Sequence, residues 1–139
     1  MFRSSLGANP LQLLALNRDV FFGIKLRNLA RELGFDLKLA PTARALNDAL
    51  AEDADHIALI ILDLNVLKEP IDWETLRATI AAWPAIPALG FGSHTDVETL
   101  RTAKSAGLTR VVSNGEFHRN AADLIQRYAL TEETDSTEL

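Results

Sequence analysis

The sequence contains no cysteine, which excludes disulfides, zinc–thiolate centres and thiol catalysis and leaves the redox compartment unmarked. It has no apolar run approaching the ~18 residues that suggest a membrane span. Its opening, MFRSSLGANP, holds one Arg but lacks the apolar core of a secretory leader. A cytoplasmic protein without a membrane anchor is expected. Positive charge is also scarce: 14 Lys and Arg stand against 19 Asp and Glu, for a formal net charge of −5. Broad electrostatic capture of nucleic acid is therefore not expected. No internal repeat or low-complexity linker divides the 139 residues, a length that fits one domain with a real core. The ending TEETDSTEL is acidic and has no apolar periodicity. The expected organisation is an N-terminal extension over 1–10, a domain over 11–130 and an acidic tail over 131–139.

What is present is a regular alternation of two periodicities. LQLLALN, Leu11 to Asn17, reads as a buried strand, followed by Phe22, Leu26, Leu29 and Leu33 at helical spacing up to Gly34. FDLKLA alternates from Phe35 to Pro41, and Thr42 caps a helix bearing Ala45, Leu46, Ala49 and Leu50. IALIIL, Ile57 to Leu62, is apolar throughout, as a strand covered on both faces requires. Its helix carries Trp73, Leu76, Ile80 and Trp83, with Asp72 as the expected cap. IPALGF is the fourth strand, and Thr95 with Glu98 has capping-box spacing for a helix running to Gly107. TRVV is the fifth strand; Ser113 and Glu116 repeat the box before a helix bearing Phe117, Ala121, Leu124, Ile125 and Tyr128. Five such units predict an α/β fold, a doubly wound parallel sheet with helices on both faces. Asn17, Asp63, Gly92 and Ser113 then share one sheet edge, where such folds have their ligand crevice. Asp63 is there either as a reactive or metal-binding group or as the polar end of a buried strand.

The stretches RNLARELGF, IILDLN, IPALGF and SAGLTRVV, in this order and spacing, resemble the receiver domain of two-component response regulators, the CheY-like superfamily. The likeness covers Leu11 to about Leu130. It implies a three-layer, five-stranded flavodoxin-like fold that accepts a phosphoryl group on an Asp at the end of the third strand, here Asp63. The family's chemistry also uses an acidic pair after the first strand, a Thr or Ser after the fourth and a Lys after the fifth. Those positions fall on Asn17 and Arg18, on Gly92 with Ser93 beside it, and on Ser113, where Asn114 replaces the usual Pro. The Met-Pro that follows the acceptor is replaced by LNVL. Magnesium is hard and octahedral and wants oxygen ligands, so an amide and a cation in place of two carboxylates disfavour it. The missing Lys removes a charge that would stabilise the transferred phosphoryl group. The resemblance is thus to a pseudo-receiver, with no cofactor expected.

Two readings of Asp63 stand side by side. In one it is a structural acid paired with Arg18 in a locked site; in the other it is a phosphoacceptor, with Arg18 offsetting phosphate charge and Ser93 donating a hydrogen bond. Asp19 reads as a helix cap. His56, His94 and His118 read as solvated residues, and without cysteines or a paired-His motif no metal site is expected. GFGSH, Gly90 to His94, lacks the Lys of a P-loop, and its glycines read as relief of crowding at a strand end. A flavodoxin-like ligand site around Gly92 is the weaker alternative.

For partners, Val20, Phe21 and Ile24 extend the apolar surface of the first helix beyond its core stripe. In receivers that region docks the helical phosphotransfer partner. The resemblance therefore implies bacterial-type signalling contacts with a histidine kinase, a phosphotransfer protein or an effector. It also makes the face of the fourth helix, fifth strand and fifth helix the first place to seek a weak homodimer. There Arg101, Lys104, Arg119 and Arg127 stand beside Asp96, Glu98 and Asp123.

Overall fold

A computed structural model describes residues 11–66 and 73–131. The expected extension and, apart from Thr131, the expected tail lie outside them, as does the expected cap Asp72. The elements alternate without exception: β1 (Gln12–Leu16), α1 (Val20–Leu33), β2 (Asp36–Ala40), α2 (Ala43–Asp53), β3 (Ile57–Asp63), α3 (Trp73–Ala82), β4 (Ala88–Gly92), α4 (Val97–Ser105), β5 (Arg110–Ser113) and α5 (Asn114–Tyr128). Single 3₁₀ turns, Ala54–His56 and Leu64–Val66, flank β3.

All five strands are parallel in the order β2-β1-β3-β4-β5. The chain therefore winds outward from β1 in one direction and from β3 in the other. This is the doubly wound, flavodoxin-like arrangement expected from the alternation, and it leaves a crevice beyond the carboxyl ends of β1 and β3. β3 lies in the middle with all seven residues buried, whereas the edge strands β2 and β5 are partly exposed. A continuous apolar run is what a central strand needs, because both of its faces are covered.

Side chains alternate between two cores. Leu13, Ala15, Leu59, Ile61, Leu89 and Phe91 pack against α1 and α5 through Leu26, Ala30, Phe117, Leu124 and Ile125. Leu14, Leu16, Ile60 and Leu62 face the opposite way, against Leu46 and Leu50 of α2, Leu76 of α3 and Ala103 of α4. The caps follow from residue type. Asp19 accepts from Phe21 and Phe22, Thr42 from Ala45, and Ser113 from Glu116, while Gly34 closes α1 in the left-handed conformation at φ 89°.

One expected cap is corrected. The helix α4 starts at Val97 with Asp96, not Thr95, as its N-cap. A carboxylate takes the Thr99 amide at 3.2 Å and the Thr99 hydroxyl at 2.7 Å, two bonds that one Thr hydroxyl could not both accept so directly. Strand limits also shift by one or two residues. β4 begins after Pro87, whose carbonyl still accepts from Ile60. No helix among the described residues is long and apolar enough to cross a membrane.

The depth of β3 sets a test of this arrangement. Ile61→Ala should cost about 2–5 kcal/mol in urea unfolding through lost transfer energy and a residual cavity. Leu37→Ala on the half-exposed edge strand should cost clearly less. Equal costs would contradict the placement of β3 at the centre.

Candidate functional site: a crevice closed by the turn after the third strand

The parallel register carries Asn17, Asp63, Gly92 and Ser113 to the same edge: Leu16 pairs with Leu62, Asp63 with Phe91 and Gly92 with Ser113. Asp63 and Asn17 are both buried, at 7% and 5% exposure. A carboxylate at that depth needs partners. It finds them two residues along its own chain, where the Asn65 backbone N–H donates to Asp63 Oδ1 at 3.0 Å and Asn65 Nδ2 donates to the same oxygen at 2.8 Å. The other hydrogen of that amide goes to Asn114 Oδ1 at 3.0 Å. One side chain thus ties the end of β3 to the first residue of α5. Burial pushes the Asp63 carboxyl above its ordinary value. The two Asn65 hydrogen bonds pull it down, the Asp19 carboxylate pushes it up again and the His118 imidazole pulls it down, with burial the largest influence.

The same turn makes two further closures. Leu64 is buried and lies over β4, where a Cβ added to Gly90 would come within 3.4 Å of Leu64 Cδ1 and one added to Gly92 within 3.4 Å of Leu64 Cβ. The glycines of β4 do relieve crowding, and the atom they admit is this leucine. At Gly90 an added Cβ would also stand 2.6 Å from Leu108 Cδ2, so the strand cannot take a side chain there without repacking. Val66 offers its carbonyl to Arg18, whose Nη2 donates at 3.4 Å.

The expected Arg18–Asp63 pair does not form: the only hydrogen bond of Arg18 among the described residues is the one to Val66. Arg18 is exposed. A guanidinium at the mouth of the crevice keeps its hydration, whereas pairing with a buried acid would strip it. Asn17 is also turned inward on its own loop, donating to the Asp19 carbonyl at 2.9 Å and accepting from the Asp19 N–H at 3.2 Å. Ser93 engages Thr95, with their hydroxyls 2.8 Å apart, and Ser113 caps α5. Neither hydroxyl bonds to Asp63.

Several oxygens around the acid are already engaged. Asp19 Oδ1 is spent on two N–H groups of α1, the Asn17 oxygen accepts from its own loop, and Asp63 Oδ1 already accepts twice. Among the described residues no group of three or more His, Asp or Glu could hold a metal ion. A magnesium ion would have to rely on the remaining carboxylate oxygens and on water.

Beside the crevice lies an aromatic cluster. Phe91 stacks on Phe117 at 4.3 Å, and His118 stands edge-on to Phe22 at 5.5 Å and 90°. A groove of about 380 Å³ runs between α1 and α5, bordered by Phe22, Lys25, Leu29, Phe117, His118 and Arg119. At its head Val20, Phe21 and Ile24 are exposed by 71%, 83% and 55%, so they are surface and not core. Arg119, exposed on α5, borders this groove. Arg101, Lys104 and Arg127 are exposed on α4 and α5, and Arg110 there pairs with Glu116 at 3.4 Å. His94 is exposed in the loop after β4. His56 lies at the opposite edge, its Nδ1 2.6 Å from Asp53 Oδ1.

The residues that organise the crevice are therefore Leu64, Asn65, Val66 and Asn114, none of which stood out in the sequence as a site residue. The amides two residues after Asp63 and directly after Ser113 were the available signal.

A buried charge with a raised pKa sets a pH dependence. The folded state holds the Asp63 proton more tightly than the unfolded chain, so its contribution to stability is full below the ordinary carboxylate value of 3.8 and is lost as pH rises through the folded value. Asp63→Asn keeps an acceptor oxygen for Asn65 and removes the charge. Its thermal midpoint should exceed that of the parent at pH 7, with the difference shrinking as pH falls toward 4. A lower midpoint at pH 7 would contradict this balance.

No protein-family model matches the chain, and no curated protein matches it. Solved structures do. The chemotaxis protein CheY4 of Vibrio cholerae superposes with a TM-score of 0.70 at 16% identity, over 86% of this chain and 98% of that one. A response regulator receiver domain protein from Clostridium thermocellum gives 0.71 at 15% identity, over 85% and 93%. A putative pilus assembly protein, cpaE, from Burkholderia thailandensis gives 0.67 at 16% identity, over 85% and 97%. At these identities the likeness is one of architecture: the chain has the fold of response regulator receiver domains.

Proposed function

We propose that this chain is a receiver-fold signalling module that acts through protein contacts and does not use the ordinary magnesium-dependent phosphorylation of Asp63. The observation that carries this reading is the amide of Asn65, which occupies Asp63 Oδ1 and anchors it to α5. Around it the positions that would supply metal ligands and a phosphate-binding cation hold Asn17, Arg18 and Ser113, each engaged elsewhere. Electrostatic stabilisation is most of what a protein contributes to phosphoryl transfer, and little of it is assembled here. The contact surface in this reading is the exposed apolar head of α1, Val20, Phe21 and Ile24, which fits a histidine kinase, a phosphotransfer protein or an effector. A homodimer through α4, β5 and α5 belongs to the same reading and would be weak and salt-sensitive, since exposed ion pairs contribute only ~0–1 kcal/mol each.

A phosphorelay receiver with an unusual site is the second reading. One observation favours it: among the described residues Asp63 Oδ2 accepts no hydrogen bond, and Arg18 stands near the crevice mouth. Intact mass after incubation with acetyl phosphate and magnesium separates the two. The contact-module reading expects an unchanged mass. Gain of one phosphoryl group that Asp63→Asn abolishes would replace it with the relay reading.

A further inference from the structure

In receivers the resemblance puts a hydroxyl side chain after the fourth strand beside the acceptor. Here that position is Gly92, with Leu64 packed against it, so no side chain at this position can report the state of Asp63. We infer that the state of Asp63 is instead relayed to the groove between α1 and α5 through Asn65 and the first segment of α5.

Three observations carry this. The first is the clasp itself, Asp63 Oδ1 to Asn65 Nδ2 to Asn114 Oδ1, which begins at the acid and ends on the first residue of α5. The second is a break in that helix: Asn120 has non-helical angles, φ −122° and ψ 23°, which divide α5 into a segment over 114–119 and a longer one after it. The longer segment is held by buried Leu124 and Ile125, and beyond it Leu130 donates to the Ala58 carbonyl of β3. The short one is held by the Ser113 cap, the Phe117–Phe91 stack, the Arg110–Glu116 pair and the clasp. The third observation is what the short segment carries. His118 meets Phe22 edge-on, and Arg119 borders the groove next to the exposed head of α1. A group that takes Asp63 Oδ1 from Asn65 therefore loosens one of the restraints on a segment that shapes the groove. Coupling of this kind needs an element with two arrangements that both sites bias, and in this inference that part falls to the segment ahead of Asn120.

The inference rests on the reading of the α1 region as a contact surface, but its test needs no partner, so failure of one is distinguishable from failure of the other. Amide hydrogen exchange and side-chain NMR are compared for the full chain and for Asp63→Ala, Asn65→Ala, Asn114→Ala and the Asn65→Ala/Asn114→Ala double variant. Each single variant should speed exchange at amides 116–119 by roughly three- to tenfold, the range set by one net hydrogen bond. Amides 121–128 should be unchanged, and the His118 ring signals should shift. The double variant should equal the singles, because both ends of one bond have been removed. Unchanged exchange at 116–119, a uniform rise across α5, additive effects in the double variant, or unmoved His118 signals would each overturn the relay.

Discussion

A three-residue turn holds the crevice shut, and its energetics start from one buried carboxylate. Asp63 ends a strand with no solvent on either face, and an unpartnered charge there would be costly. Asn65 meets that demand with a backbone and a side-chain hydrogen bond. Once the chain bends to bring Asn65 back, Leu64 is driven onto the glycines of β4 and the Val66 carbonyl is presented to Arg18. One local solution to one charge thus touches β3, β4, α5 and the loop after β1. The core beneath it takes only Leu64 and Val66 from this turn, and the rest of the two apolar layers is built from the strands and helices.

That separation of core from crevice explains how a fold can keep its shape while its edge is rebuilt. Parallel register places the ends of β1, β3, β4 and β5 together whatever side chains they bear. Chemistry depends on which groups point into the space between them. Here those groups satisfy one another: the Asn65 amide donates to Asp63, and Leu64 packs beside Gly92. Function has to be argued from the site and not from the architecture. What remains presented to the outside is apolar and lies on the helix faces, at the head of α1 and along the groove beside it.

The layers, the five strand–helix units and the position of Asp63 at a strand end were legible in the sequence because they follow from local periodicity. IALIILD is continuous because β3 is central, and DLKLA alternates because β2 is an edge. Caps were legible where one capping residue stood alone, as at Asp19 and Thr42, and at Ser113, where Glu116 completes the box. They were not where two adjoined, as in TDVE, where Asp96 outcompetes Thr95. The crevice was harder for a physical reason. Asn65 and Asn114 are 49 positions apart and meet only through the fold, and nothing local tells Arg18 to reach for a backbone carbonyl instead of an acid.

The central claim is that the Asn65 amide, and not a cation, is the partner of Asp63. Manganese, a paramagnetic stand-in for magnesium with the same preference for oxygen ligands, tests it most directly when titrated into the isotope-labelled chain up to millimolar concentration. The account predicts that the backbone amides of Asp63, Leu64 and Asn65 broaden no more than those of exposed acidic residues elsewhere, with the Asn65 side-chain amide signals in place throughout. Selective, saturable broadening centred on Asp63, with loss of the Asn65 side-chain signals, would show a cation displacing the amide and contradict it.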